Sequence, residues 1–543
     1  MLSALIVALI FLKPVDINKK DACIYVKERA LYLTDFKNTV ELSKEIYEKS
    51  VSLSDVMKHI IVSEDGSCVF YPKKYIKNGY ELCVKQLNAP KKSAVVVDKS
   101  VQSFAINKDG TVVTYIKGNN LYQSDLSVVK ELATNVTEFY ASADGQHIFY
   151  IDGKLNYIDS GKNKKTFDSI DKLLYSSADL SRVIYMNNGK LQEVADYNNA
   201  KVLAENVYDG YIYANDEECY FAVETALTLS DFISNSDSAD YHNVRKALEE
   251  HQNSGNKFVN RTVYSYNYNS DSPKAVLESN VCVSAASTDI NATQWVMWDD
   301  EKNYLVLYGY EDYTLQKTDI AQINDVAEFI DRMSADIASK QSVHLVKKGS
   351  LLKMQDITAD CRYYGVSKDG KYFYAVGVEK DIKGNLYRFD ISSGECGQSE
   401  LYDEDVDSYT FLGDKIACFK KTAGQEYQLY VNQEFLIGNS ASYCCLMNDG
   451  KSILGAAYNT EDASRLGLVI MTDDEMTVIG DLKSKPYIPS ISFFLAEDDR
   501  VLWSSDYDKA ANASTITLYR NGENKKIADG VEGVLYFDGK PTK

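Results

Sequence analysis

Short apolar strands separated by polar turns recur along most of the chain. Many of the turns carry the same phrase, a Ser or Asn followed closely by Asp-Gly, and an aromatic-bearing apolar run comes after it. Copies of the phrase lie at 63–66, 107–110, 142–145, 367–370 and 448–450. Alternating and β-branched runs bounded by Asp, Asn and Gly are typical of strands joined by tight turns. The pattern therefore predicts an all-β chain built from repeated strand units.

The clearest repeat covers residues 101–134. Residues 101–106, 112–116, 121–125 and 130–133 are each predicted to form a strand, and turns separate them. Four strands in roughly 35 residues are the signature of one β-propeller blade. The predicted fold is an all-β propeller of four-stranded blades with two short helical insertions.

The number of repeats bears on the number of rings. Ten to twelve units can be counted along the chain, whereas one ring usually holds about four to eight blades. Two tandem propellers are therefore favoured over a single ring of seven or eight blades.

The positions of the repeats also predict domain limits. We assign residues 22–317 to N-terminal blades and 343–540 to C-terminal blades, with 318–342 as a helical insert or linker. Residues 531–538 resemble an inner strand that has no blade left to begin, and 22–33 resemble strands that lack one. Pairing them would cover two open sheet edges, so we expect the chain ends to close a blade.

Two segments break the strand pattern. Residues 240–255, within a predicted insert at 224–256, and residues 323–339 space their apolar residues as a helix does. They are interpreted as insertions that pack over a blade edge or separate two rings. The alternative is a helix that docks a partner, since insertions on rigid repeats often carry binding.

The first fourteen residues form a separate feature. MLSALIVALIFL is almost wholly apolar and is followed by Lys13-Pro14. Twelve residues are too few to span a bilayer, and no basic region precedes them. Residues 1–14 are interpreted as a truncated membrane anchor or signal segment, the alternative being a buried strand. The protein is expected at the cell membrane with its propeller outside the cytoplasm, or secreted.

Charge and composition restrict the partners. The net charge of −20 argues against nucleic acid and against an anionic membrane surface. Only 10 residues are Arg, the side chain that usually builds clamps for carboxylate or phosphate groups. The expected partner is a protein or glycan at the cell envelope, and the membrane is expected to contact only the N-terminal segment.

Ten cysteines are present without C-x-x-C spacing or a zinc pattern. Most lie within apolar strand segments, where Cys usually serves as a small hydrophobic residue. Cys68 and Cys83 lie on the two strands of one predicted hairpin, so a disulfide between them is the alternative.

Candidate chemistry is sparse. The five histidines are dispersed, and no G-x-S-x-G, P-loop or G-x-G-x-x-G motif occurs. The acidic stretch Asp403 to Asp414 has partial calcium-loop spacing, but a solvated turn is favoured. No catalytic, cofactor-binding or metal-ligating residue is predicted, and no cofactor.

The repeated phrase with its Tyr- or Phe-bearing strand and Leu-Tyr hairpin resembles the TolB-like, WD40-like propeller repeats. The resemblance implies binding through loops on one face, the helical insertions and a central channel. The predicted function is a non-enzymatic extracytoplasmic binding or scaffold protein. The alternatives are a carbohydrate-active propeller enzyme of hydrolase or lyase type, and a sensor or assembly scaffold with a cytoplasmic part.

Overall fold

The computed structural model describes most of the chain from residue 22 onward. The described residues are 22–76, 79–234, 242–253, 257–284, 295–298, 305–309, 317–339, 342–347, 350–354, 362–378, 384–422, 427–458, 466–472, 475–482, 493–496, 498–538 and 540–541. They divide into two compact units. The first unit comprises Met1–Asp168, Ala178–Leu180 and Asn439–Lys543, and the second comprises Ser169–Ser177 and Ser181–Gly438.

Strands of the first unit come from both ends of the chain. They are β1 Cys23–Lys27, β2 Ala30–Thr34, β3 Thr39–Ser43, β4 Ile61–Val62, β5 Cys68–Ile76, β6 Gly79–Gln86, β7 Val95–Ile106, β8 Val113–Lys117, β9 Asn120–Ser124, β10 Val129–Ala133, β11 Glu138–Ala141, β12 His147–Ile151, β13 Lys154–Asp159 and β14 Lys164–Ser169, whose last residue falls in the second unit, and then β35 Ile453–Tyr458, β36 Leu466–Met471, β37 Met476–Leu482, β38 Phe493–Leu495, β39 Val501–Asp508, β40 Ala513–Arg520, β41 Glu523–Phe537 and β42 Lys540–Pro541.

Strands of the second unit are continuous in sequence. They are β15 Lys172–Ser176, β16 Arg182–Asn187, β17 Lys190–Ala195, β18 Lys201–Ala204, β19 Val207–Ala214, β20 Glu218–Ala226, β21 Lys257–Asn267, β22 Lys274–Ser284, β23 Trp295–Trp298, β24 Leu305–Gly309, β25 Ser342–Lys347, β26 Ser350–Met354, β27 Arg362–Val366, β28 Tyr372–Val378, β29 Gly384–Asp390, β30 Ser399–Val406, β31 Ser408–Leu412, β32 Lys415–Lys421 and β33 Tyr427–Val431. β34, Glu434–Leu446, begins in this unit and ends in the first.

The sheets confirm the predicted all-β fold of four-stranded blades. In the described residues, five sheets contain four antiparallel strands, such as β11-β12-β13-β14 and β19-β20-β21-β22. Three larger sheets are each two four-stranded blades joined by one long strand, which is β7, β34 or β41. Eleven blades result, so the repeat count from the sequence was close. The preference for two rings stays a prediction.

Helices are few, as predicted. The described helices are α1 Leu53–Met57, α2 Leu229–Phe232, α3 His242–Asn253 and α4 Val326–Ser339, with a 3-10 turn at Ile320–Gln322. α3 and α4 lie where helical spacing was found in the sequence. Residues 318–342 fall inside the second compact unit. The division into residues 22–317 and 343–540 stays a prediction.

The Asp-Gly phrase forms a turn that its own side chains stabilise. Ser63 Oγ donates to Asp65 Oδ1 at 2.6 Å and accepts from the Cys68 amide at 3.1 Å. Gly66 has a φ of 68°, in the left-handed region that favours glycine. The same geometry recurs at Gly110, Gly145, Gly370 and Gly450, whose φ values run from 66° to 73°. The sequence interpretation as a turn device is confirmed.

These turns also join neighbouring blades of the first unit. The amide of Glu64 donates to the carbonyl of Lys108 at 2.8 Å, and the Lys108 amide donates to the Ala143 carbonyl at 2.8 Å. The Ala143 amide continues the series to Ala178 at 3.0 Å. One backbone hydrogen bond per step therefore ties four successive turns together.

A β-bulge recurs on the outer strands and aims one apolar residue at the next blade. In β3, for example, Glu41 and Ser43 pair with successive residues of β2, so Leu42 is the extra residue. Shifts of the same kind single out Leu42, Val97, Leu132, Leu203, Val276, Tyr402, Ile479 and Ile527. All eight are apolar or aromatic, and each belongs to a core cluster that includes residues of the following blade.

The two ends of the chain pair within one sheet. β1 lies antiparallel to the second half of β41, with Cys23 opposite Phe537 and Lys27 opposite Val531. These are the segments that the sequence analysis expected to pair. Glu532 accepts hydrogen bonds from the Tyr47 hydroxyl and the Arg29 amide, which adds a polar link beside the strand pairing.

Gly110→Ala should cost more stability than Gly450→Ala. Both glycines lie in Asp-Gly turns at positive φ, so both variants carry backbone strain of about 1 kcal/mol. A Cβ on Gly110 would also collide with Cys68 Sγ and approach Phe70 Cε2 to 3.2 Å, whereas nothing lies within 4 Å at Gly450. We expect an additional loss of about 1–3 kcal/mol for Gly110→Ala, measured by urea unfolding. Equal losses would contradict the inferred packing.

Candidate interaction surface

Two insertions from successive sheets of the second unit come together. α2 and α3 interrupt the connection between β20 and β21, and α4 interrupts the connection between β24 and β25. Ile233, just after α2, forms a parallel bridge with Thr318, and the Ser234 amide donates to the Thr318 carbonyl at 3.1 Å. α3 and α4 also contact each other. Sequence reasoning found both insertions but had no signal that they meet.

One face of α4 is used for packing. Phe329 and Ile330 are buried, Val326 and Met333 are partly buried, and the helix contacts β22. β22 is the last strand of its sheet, so α4 covers an edge that would otherwise be open. Packing over a blade edge was the favoured interpretation of this segment, and the contact of α4 with β22 supports it.

The opposite face of the helices carries exposed charge. Asp325, Glu328, Asp331, Arg332 and Ala335 are exposed on or beside α4, and Arg245, Lys246 and Glu250 are exposed on α3. We call these eight residues the cap surface. A helix with one buried apolar stripe and a charged opposite face needs no partner to be stable. Asp325 Oδ1 accepts from the amides of Ala327 and Glu328 and so caps α4. The packing of α4 does not require the charges of Glu328, Asp331 and Arg332.

Four arginines of the described chain are paired within the sheets. Arg182 pairs with Glu193 at 2.8 Å and lies over the Tyr268 ring at 4.1 Å from its centroid. The fully buried Arg261 pairs with Glu224 at 2.7 Å and lies over Tyr208 at 4.0 Å.

Two further arginines repeat this arrangement. Arg388 pairs with Glu400 at 2.5 Å and lies 4.7 Å from the Tyr372 ring centroid. Arg500 pairs with Asp538 at 2.8 Å and lies about 6 Å from the Phe36 and Phe537 rings. In each case a carboxylate offsets the guanidinium charge and an aromatic ring packs against it. These four side chains are therefore engaged in structure rather than offered to an anionic ligand.

A Ser-Asp-His set in the first unit has the residue types of a nucleophile site but the geometry of a turn. Ser142 Oγ donates to Asp144 Oδ1 at 2.5 Å and accepts from the backbone amide of His147 at 2.9 Å. The His147 ring instead bonds the Tyr157 hydroxyl through Nδ1 at 2.7 Å. An activated serine needs its hydroxyl on the imidazole of a base, so these residues do not form a triad.

A second His-Tyr pair lies beside a shallow depression. His59 Nδ1 is 3.0 Å from the Tyr80 hydroxyl, and the ring packs between Tyr75 and Tyr80. Burial, reinforced by the Lys58 charge, lowers the pKa of His59 to about 4. The adjoining depression of about 220 Å³ is lined by Lys73, Lys74, Gly79, Tyr80, Glu81 and Ser100. Lys73 and Glu81 neutralise each other there at 3.4 Å.

The acidic stretch that was considered for calcium does not converge. Asp403 is held by Lys420 Nζ at 2.6 Å, and Asp407 accepts from the Tyr427 hydroxyl at 3.2 Å. These residues lie on and between β30 and β31 rather than in one loop. Across the described part of the chain, no group of three or more His, Cys, Asp or Glu side chains is placed to hold a metal ion.

The hairpin cysteines are not opposite each other. In the β5–β6 register Cys68 faces Gln86 and Cys83 faces Tyr71, and both thiols are free. Burial raises the pKa of Cys83 to about 11, so this thiol is protonated at neutral pH. The disulfide alternative is therefore wrong.

The search for membrane-spanning helices was negative within the residues that the structure describes: none is both long and apolar enough to cross a bilayer. The apolar segment 1–14 lies outside those residues.

Comparisons with known proteins identify a fold but no family. No protein-family model matches the sequence, and no curated protein matches it. Solved structures do match. Dipeptidyl peptidase 4 from Porphyromonas gingivalis is 11% identical with a TM-score of 0.33, and the match covers 89% of this chain and 62% of that chain.

Two further structures match at similar levels. TolB from Acinetobacter baumannii is 13% identical over 60% of this chain and 79% of that one, with a TM-score of 0.25. The β-propeller domain of the trilobed protease from Pyrococcus furiosus is 12% identical over 69% of this chain and 94% of that one, with a TM-score of 0.23. The repeated four-stranded antiparallel sheets are those of a β-propeller.

The comparison contradicts the prediction that the chain is not an enzyme. Two of these three propellers come from proteins named as a peptidase and a protease, so the fold does not argue against catalysis. That prediction is withdrawn. Because the likeness is one of fold at 11–13% identity, it assigns no activity and no catalytic residue to this chain.

The low pKa of His59 predicts a pH-dependent contribution to stability. The folded chain holds this ring neutral to about pH 4, whereas the unfolded chain protonates it near pH 6.5. Stability should therefore fall as the pH drops from 6.5 to 4. His59→Gln, which cannot be protonated, should lack this part of the loss, about 1 kcal/mol after allowance for solvent around the partly buried ring.

Urea unfolding of wild type and His59→Gln at pH 7.5, 5.5 and 4.5 measures the difference in their free energies of unfolding. Both chains have the same carboxylates, so the effect of protonating these groups is the same in each and drops out of the difference. A wild-type and variant pair whose stabilities fall in parallel would contradict the inferred environment of His59.

Proposed function

We propose that the protein is a TolB-like or WD40-like propeller that binds a protein or glycan partner at the cell envelope through the cap surface. The observation that carries the proposal is the convergence of two insertions, from successive sheets, on one place in the second unit. A repeat needs neither insertion to complete its four strands, and insertions on rigid scaffolds are where binding residues are commonly found.

Charge supports this choice of surface. Glu328, Asp331 and Arg332 are exposed on α4, while Arg182, Arg261 and Arg388 of the same unit are paired within sheets. Polar side chains that the fold leaves in solvent are available to a partner at low desolvation cost, and they set its orientation and specificity.

Reversing charge on the cap surface tests the proposal. Glu328→Lys combined with Asp331→Lys should reduce capture of the partner from an envelope extract by at least about tenfold. Glu404→Lys combined with Glu434→Lys is the matched control, because both residues are exposed in the same unit and the change in charge is identical. Quantitative mass spectrometry of the captured proteins and glycans provides the measurement, with circular dichroism to check folding.

Loss of the same partner in both variants would reflect general charge rather than the cap surface. Retention in both would place binding elsewhere. Either result contradicts the proposal.

We also propose that the propeller lies outside the cytoplasm, tethered by its N-terminal segment. The support is the apolar run of residues 1–12, which precedes the first described strand. Alkaline phosphatase fused after residue 543 should be active in cells producing the full chain and inactive when residues 1–14 are deleted. Activity of a cytoplasmic β-galactosidase fusion, with an inactive phosphatase fusion, would overturn this location.

A further inference from the structure

The outer-strand bulges leave a backbone carbonyl that is open to a further hydrogen bond. A bulge adds one residue to the strand, and this residue is left out of the ladder of hydrogen bonds. On the last strand of a sheet the neighbouring backbone groups on the open side are unpaired as well. Such a strand is a template on which another strand can add.

In four blades a side chain from the next blade along the chain bonds the carbonyl of the bulge residue. Lys85 Nζ donates to the carbonyl of Leu42 at 2.9 Å, and Lys164 Nζ donates to that of Leu132 at 2.9 Å. The four donor and acceptor pairs are Lys85 with Leu42, Lys164 with Leu132, Gln433 with Tyr402, and Asn524 with Ile479.

The donors share a position but not a residue type. Each lies on the third or fourth strand of the following blade or in the turn between them, although two are Lys, one is Gln and one is Asn. Each pair lies within one compact unit. At least four of the eight bulge carbonyls therefore accept a hydrogen bond from a side chain of the next blade, although the donors differ in type.

The capped strands also expose apolar side chains. Val129 on β10, Leu401 on β30 and Val478 on β37 are 46%, 46% and 59% exposed. Exposed apolar residues on an edge strand favour edge-to-edge pairing. Three of the four strands that carry a capped bulge could therefore pair with another strand at their open edge.

We propose that Lys85, Lys164, Gln433 and Asn524 are edge caps that keep the outer strands from pairing with a second copy of this chain. A strand that adds to the edge must compete with the side chain for the bulge carbonyl and must displace it from the neighbouring blade. The device is independent of the cap surface and of the proposed binding function.

Removing a cap without adding charge tests the proposal. Lys164→Met and Gln433→Met keep side-chain length and remove the donor, and we expect each to increase the oligomer fraction of the full chain at least tenfold at micromolar concentration. Lys164→Arg retains a donor and should behave as the wild type. Lys130→Met is the matched control. Lys130 is exposed on β10, the strand whose Leu132 carbonyl Lys164 caps, and this variant makes the same change in charge and apolar surface without removing a donor to that carbonyl.

Light scattering coupled to size-exclusion chromatography measures the oligomers, and thermal unfolding reports folding of each variant. The proposal is overturned if Lys164→Met and Gln433→Met lose stability but keep the wild-type mass at every concentration. It is also overturned if Lys130→Met oligomerises as much as Lys164→Met. The two cap variants lie in different units, so failure of one to fold leaves the other to decide.

Discussion

Apolar contact between successive four-stranded sheets is the interaction on which the structure depends. A four-stranded antiparallel sheet cannot be stable with both faces in water, so each sheet needs its neighbours. The outer-strand bulge extends that contact to the rim by turning an apolar residue toward the next sheet. Leu42 is 4% exposed and Ile479 is 2% exposed although both lie on outer strands. Burial of each contributes about 1.5–3 kcal/mol.

The bulge has a polar consequence, and the chain satisfies it with side chains. An unsatisfied buried carbonyl costs about 1–3 kcal/mol, comparable to the gain from the apolar residue. Lys85 Nζ at 2.9 Å from the Leu42 carbonyl removes that cost. The buried guanidinium of Arg261, with its carboxylate and aromatic partner, follows the same logic. In both cases polar side chains serve the contact between neighbouring sheets or strands.

Local chemistry explains which features were predictable from the sequence. The Asp-Gly turns were predicted because the Ser, Asp and Gly that make each turn are within four residues of one another. The bulges were missed, since an extra residue such as Leu42 is defined by a register between strands and not by any local pattern. The disulfide between Cys68 and Cys83 failed for the same reason, because hairpin membership does not give the register.

The candidate site was predictable only in part. Helical spacing located the two insertions, but their bridge at Ile233 and Thr318 joins residues 85 positions apart. The predicted linker at 318–342 contains α4, and the predicted domain limit there stays a prediction. In the structure that helix covers a sheet edge of the same unit.

Polar groups that the fold does not need are the ones available to a partner. A propeller scaffold does not fix a function, so its presence carries no weight for or against catalysis. Ser142, Asp144 and His147 have the residue types of a nucleophile site, yet the Ser142 hydroxyl bonds within a turn and the His147 ring bonds the Tyr157 hydroxyl. Glu328 and Asp331 look ordinary, yet neither the packing of α4 nor the edge it covers requires their charge. The insertion that carries them covers a sheet edge, but these two side chains have no role in that packing. They are therefore the better guide to where a partner binds.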